Sequence, residues 1–227
     1  MTIFAVAIAI ALAGLPAAPE KQTDFDPQAA AVNRAERLVA DGKLDEATLV
    51  LDPALEAYQR QFGSETRAIY CSESPAEALQ YMTMSATAKK SAVAIGAGWC
   101  TALFLKGYIL DDGHHYSDAA VLLERAVTMA PHHAHYLNEL GFAYQRQRNW
   151  PASDATYRRA AESAAFDAAS LKVERGRAWR GLGYNLVEEG KLDEAEAMYR
   201  KCLELDPNDT KSQGELRWIA EQRKRHG

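Results

Sequence analysis

Between Ala178 and Pro207 the sequence spells two short amphipathic helices joined by a tight turn, a unit that cannot bury its own apolar faces. Trp179, Leu182, Gly183 and Leu186 recur at helical spacing and share one face. Gly190 breaks that pattern. Asp193 and Glu196, three residues apart, read as an N-cap and its capping-box partner. A second stripe follows in Ala195, Met198, Tyr199, Cys202 and Leu205, and Pro207 ends it. Gly183 and Ala195 fall where the two helices cross, and Trp179 and Tyr199 fill the volume around the crossing. Such a pair is stable only among neighbours of its own kind.

The chain supplies those neighbours. Gly42-Lys43-Leu44-Asp45-Glu46-Ala47 recurs, residue for residue, at Gly190 to Ala195. Cys100 to His133 carries Leu103, Gly107, Leu110, Ala119, Leu123, Ala126 and Pro131. Ala134 to Asp167 carries Leu137, Leu140-Gly141, Tyr144, Ser153, Tyr157 and Ala160. Gly107 to Gly141 is 141 − 107 = 34 residues, and Leu123 to Tyr157 is 157 − 123 = 34. Gly141 to Gly183 is 183 − 141 = 42, eight beyond the period, which about two extra helical turns absorb. The first helix of the last unit is therefore predicted to be longer than its counterparts, with Leu171, Arg175 and Ala178 in phase with Trp179.

The remaining stretches match less closely. A first unit spans about residues 28–61, its second helix interrupted at Pro53 and restarted to about Phe62. Residues 66–99 read as a degenerate unit, with a short helix from Thr66 to Glu73 and another opened by Pro75 and carrying Ala78, Leu79, Met82 and Ala86. After Pro207, Leu216, Ile219 and Ala220 mark a final helix over 210–227 that caps the stack.

The stretch from Trp179 to Pro207 resembles the tetratricopeptide repeat, a helix–turn–helix unit of 34 residues. Trp179, Leu182-Gly183, Leu186, Ala195, Tyr199, Cys202 and Pro207 hold its pattern positions, with Leu186 in place of an aromatic and Cys202 in place of Ala. The resemblance implies an all-α, right-handed solenoid over 27–227, with units at about 28–61, 66–99, 100–133, 134–167 and 176–209. It also implies that first helices line a concave groove that binds a peptide or helix of another protein. The residues beside the core stripe are Phe104, Tyr108, Asn138, Phe142, Gln145, Arg180 and Tyr184. Family members that clamp a chaperone's C-terminal carboxylate use a Lys/Asn/Arg set, whereas this chain carries Phe104, Tyr108 and Glu139 at most of those places.

Residues 1–18 have the form of a secretory signal peptide, an uncharged apolar run from Ile3 to Leu15 followed by small residues, with 19–26 as a linker. No Lys or Arg precedes the run. The run is shorter than the ~20 residues of a spanning helix, so the expected location is periplasmic or secreted rather than anchored. An intracellular adaptor is the reading if the run is not a signal. The net charge of −5 argues against general nucleic-acid binding. Three cysteines make no zinc spacing; Cys71 and Cys100 pair if the compartment oxidises them, and Cys202 fills a small-residue niche. No nucleophile motif, phosphate loop or dinucleotide fingerprint occurs, so no catalytic residue, metal or cofactor is expected. The alternative of a metal-binding or hydrolytic site rests on His114-His115, His132, His133, His135 and the acidic turns.

Overall fold

The computed structural model describes residues 26–163 and 168–226. The signal-peptide and linker readings over 1–25 lie outside the described residues. Four helix pairs follow one another: α1 (Ala29–Ala40) with α2 (Leu44–Phe62), α4 (Gly98–Asp112) with α5 (Tyr116–Met129), α6 (Ala134–Arg146) with α7 (Trp150–Glu162), and α8 (Ala168–Glu188) with α9 (Leu192–Leu205). The helix α10 (Thr210–His226) packs on α9. This is an all-α repeat architecture, into which one small β-containing element is set.

Close approach inside each pair depends on a missing side chain. A Cβ on Gly107 would stand 2.8 Å from Leu123, one on Gly141 2.8 Å from the Tyr157 ring, and one on Gly183 2.8 Å from the Tyr199 ring. The separations are identical: 123 − 107, 157 − 141 and 199 − 183 are each 16. The three glycines thus hold matching places in successive hairpins. Ala35 and Leu51, both fully buried and also 51 − 35 = 16 apart, take those places in the first pair. Gly181 meets Tyr157 from the other side, where an added Cβ would lie 2.3 Å from the ring, so α7 and α8 also close on a glycine.

The turns repeat as well. Gly42, His114, Arg148 and Gly190 all have positive φ, between 57° and 75°. At each, the residue's N–H donates to the carbonyl three residues back, and the next N–H to the carbonyl five back from it, as in Gly190 to Val187 and Lys191 to Leu186. This Schellman pattern satisfies the last carbonyls of the helix. It also makes Lys191 the N-cap of α9, without a side-chain cap. The capping-box reading of Asp193 and Glu196 is therefore corrected: both sit inside the helix and bind Arg223 of α10.

Two further expectations change. α2 runs unbroken through Pro53. The carbonyl that loses its donor belongs to Leu49, which is 76% exposed, so water can replace the bond. Residues 66–99 are not a helical repeat. They form β1 (Ala68–Ser72), α3 (Pro75–Thr87) and β2 (Ala92–Gly96), the two strands pairing in parallel with Ala68 opposite Ala92. Thr66 to Glu73 holds a strand because Ile69 and Tyr70 suit a pleated surface, and Ser74 caps α3 from Pro75 by accepting the Glu77 N–H. Tyr70 stacks on Tyr81 of α3, and Ile69 and Ile95 pack against the main core. A two-stranded sheet is marginal alone. Here a Cys71–Cys100 disulfide ties β1 to α4, closing a loop worth about 3–4 kcal/mol in the chain-entropy account.

α8 has 21 residues and α6 has 13, and 21 − 13 = 8 is the excess in the repeat spacing. Ile219 of α10 closes a separate small core with Leu186, Ala195 and Tyr199.

Replacing a helical Gly by Ala ordinarily gains up to ~1 kcal/mol, whereas overpacking costs ~1–3 kcal/mol. Gly141→Ala is expected to lower stability by about 1–2 kcal/mol in denaturant unfolding, because Tyr157 is already held by Gly181. Gly214→Ala, whose Cβ would meet nothing nearer than 3.9 Å, should be neutral or stabilising.

Candidate peptide groove

The first helices α1, α4, α6 and α8 lie side by side, and α6 and α8 touch directly. Their shared seam is polar. Glu174, in the extra length of α8, accepts from the Asn138 amide at 2.7 Å and lies 2.9 Å from His135 Nδ1. Burial pushes the Glu174 carboxyl up, but the His135 and Asn138 hydrogen bonds and the Arg177 charge outweigh it and hold the carboxyl below its usual range. Arg177 donates to Glu139, itself 4% exposed. Farther along, Gln145 donates to Asn185 at 2.7 Å, and Asn185 donates to Ser153 at 2.9 Å and Asp154 at 2.7 Å.

These contacts sort the seven sequence-derived groove residues. Asn138 is fully buried and spent on α8, so its reading as a partner contact is corrected, whereas Gln145, also bonded to α8, keeps an edge on a hollow. Phe104 is half-buried, stacked on Tyr136 at 5.0 Å and tilted against His135 at 4.9 Å. Arg180 donates to Asp209 at 2.8 Å and lines a different hollow, of about 500 Å³, with Lys172, Asp206 and Lys211. Tyr108 and Tyr184 are exposed, at 37% and 43%.

The structure brings Phe142, Gln145 and Tyr184 together around a hollow of about 460 Å³. Arg146, Arg148, Trp150 and Glu188 complete its lining. Sequence reasoning missed Arg146 and Arg148. The available signal was the 34-residue spacing from His114 to Arg148, 148 − 114, which marks Arg148 as the turn residue. Arg146 also donates to the Tyr116 hydroxyl at 2.9 Å and stacks over its ring. An aromatic floor with two guanidinium groups at its rim holds an apolar side chain and pairs carboxylates beside it.

The histidines have structural partners. His133 stacks on Tyr136 at 3.6 Å and reaches Glu73, while His132 stacks on Tyr81 of α3. Among the described residues no group of three or more His, Cys, Asp or Glu could hold a metal ion. Cys202 is buried, with its thiol 3.5 Å from the Gly176 carbonyl and its pKa raised by burial.

One group at the seam is unusual. Both carboxylate oxygens of Asp111, at the end of α4, are buried without a hydrogen-bond partner among the described residues. Burial, reinforced by Glu139 and opposed by Arg146, pushes its pKa up to about 7. A carboxyl raised in the folded state is stabilising while protonated. Stability therefore falls as pH rises from the unfolded carboxyl range, about 4, through about 7. Asp111→Asn is expected to flatten that slope in thermal unfolding and to raise stability above pH 7 by about 2 kcal/mol.

Comparison with known proteins places this geometry. The tetratricopeptide repeat model matches residues 133–208. No curated protein matches the sequence. Among solved structures, PilF of Pseudomonas aeruginosa is 15% identical, with 87% of this chain and 69% of that chain covered and a TM-score of 0.60. YrrB, described as a TPR protein with an unusual peptide-binding site, is 18% identical over 88% of this chain and 79% of its own, at a TM-score of 0.55. MamA MSR-1 is 17% identical over 88% of each chain, also at 0.55. At these identities the likeness shows the fold, a tetratricopeptide-repeat solenoid, whose matched repeats include α6, α7, α8 and α9.

Proposed function

We propose that the protein is an interaction scaffold of the cell envelope that binds a peptide or helix of another protein along its row of first helices. The observation that carries this reading is the 460 Å³ hollow in which Phe142 and Tyr184 meet Arg146 and Arg148. Recognition there needs shape, an apolar anchor and paired charge, with no bond broken or made. A peptide-binding site in YrrB, a solenoid of the same fold, supports it. A hydrolytic or metal role is less well supported, since His132, His133 and His135 are engaged in ring stacking and hydrogen bonds.

The envelope assignment rests on two features. The apolar run of residues 3–15 has the form of an export signal, and the Cys71–Cys100 disulfide suits an oxidising compartment. No described helix is long and apolar enough to cross a membrane.

Affinity capture from the protein's own cells, with the intact chain and with Phe142→Ala, Arg148→Ala and Tyr184→Ala combined, tests the groove. The triple variant should lose the partner at least tenfold while keeping its helical content, and equal recovery by both forms would contradict the groove. Sequencing the N-terminus of the protein purified from those cells tests export. A mature start near residue 19 is expected, and an intact, cytosolic chain with free thiols at Cys71 and Cys100 would reject it.

A further inference from the structure

Among the described residues, the element β1–α3–β2 leaves the far edge of β2 without a strand partner. Ala68 N–H donates to the Ser91 carbonyl, and the Ser72 hydroxyl donates to the Ile95 carbonyl. Alternate residues of a strand point their backbone groups to opposite edges. Ser91, Val93 and Ile95 therefore face β1, and Ala92, Ala94 and Gly96 turn their backbone groups to the far edge. Among the described residues no partner for those groups appears.

Exposed strand edges are ordinarily blunted by charge, proline, a bulge or a cover. The edge at Ala92–Gly96 has neither a charged residue nor a proline. Instead it borders a cleft of about 270 Å³, walled on the other side by Tyr58, Gln61 and Phe62 of α2 and floored by Asp26 and Pro27. The walls are firm. Tyr58 and Phe62 stack on the buried Trp99, Tyr58 donates to Asp26 at 2.5 Å, and the disulfide fixes β1 to α4. Among the described residues, Asp26 is the sole charged one lining the cleft.

We infer that this cleft takes an extended segment of another protein, added beside β2 as a third strand, with an apolar side chain against Phe62 and a basic group toward Asp26. Backbone hydrogen bonds to Ala92 and Ala94 supply the attachment, and the cleft and the carboxylate select the sequence. With α2 standing across from the edge, the cleft suits a single added strand.

The full-length, disulfide-intact protein is tested with a synthetic peptide, acetyl-Lys-Val-Thr-Val-Thr-Val-Thr-Val-amide, by calorimetry and amide hydrogen exchange. In the free protein the Ala92 and Ala94 amides should exchange rapidly, and the peptide should protect them. Methylating alternate peptide amides should weaken binding at least tenfold. Ala94→Pro removes only an edge donor, leaves the β1 ladder intact and should weaken binding equally. Gln61→Arg, at an exposed position beside Asp26, should weaken the lysine peptide severalfold but not a glutamate-for-lysine version. Protection of Ala92 and Ala94 before peptide is added would overturn the inference, since the edge would then be occupied by the chain itself or another copy. So would unchanged affinity on peptide methylation or in Ala94→Pro, or no binding at millimolar peptide.

Discussion

The fold depends on a backbone-to-side-chain contact made three times over. At Gly107, Gly141 and Gly183 the first helix of a pair has no side chain, and Leu123, Tyr157 or Tyr199 of the second helix occupies the space. Any larger residue meets that side chain below van der Waals distance, so the helix pair must open. Opening one pair moves the surface on which the next pair packs. Tyr157 shows the transmission most directly, because Gly141 holds one face and Gly181 of the following pair holds another. An interior close-packed in this way passes displacement along rather than absorbing it.

Polar contacts decide where the stack is closed and where it stays open. Between α6 and α8, Asn138 donates to Glu174 and Arg177 donates to Glu139, and these bonds seal the seam. Buried polar groups left unpaired are costly, and Asp111 is the described carboxylate that escapes this pairing. Beyond the sealed stretch, at the turn end of α6, Phe142, Arg148 and Tyr184 surround a hollow together with Arg146, which also bonds Tyr116 of α5. The same row of helices is thus core along one part of its length and borders an open hollow along another.

The β1–α3–β2 element replaces a helical pair at the position where a repeat would otherwise stack. Its inner face carries Ile69 and Ile95 into the main core, and its outer face is covered by α3 through Tyr70 and Tyr81. The disulfide and the His133–Glu73 contact join it to the solenoid from two directions. An edge strand held this rigidly keeps its backbone groups presented without a large ordering cost on binding.

The repeat architecture was legible in the residues themselves. The 34-residue spacing, the recurrent Gly42–Ala47 and Gly190–Ala195 hexapeptide and the eight-residue excess located the hairpins and the long α8, because helical periodicity and small-residue crossings are local properties of sequence. The strands of residues 68–72 and 92–96 were not legible as such. A five-residue apolar run reads alike in a strand or a buried helix, and here pairing across 24 positions, from Ala68 to Ala92, settles it. Nor did spacing separate Asn138, consumed by α8, from Phe142 and Gln145, left to line the hollow with Tyr184. Asn138, Phe142 and Gln145 share one face of α6 in sequence. Which part of that face is covered depends on where a neighbouring helix, eight residues longer, comes to rest, and that is fixed only when the hairpins pack.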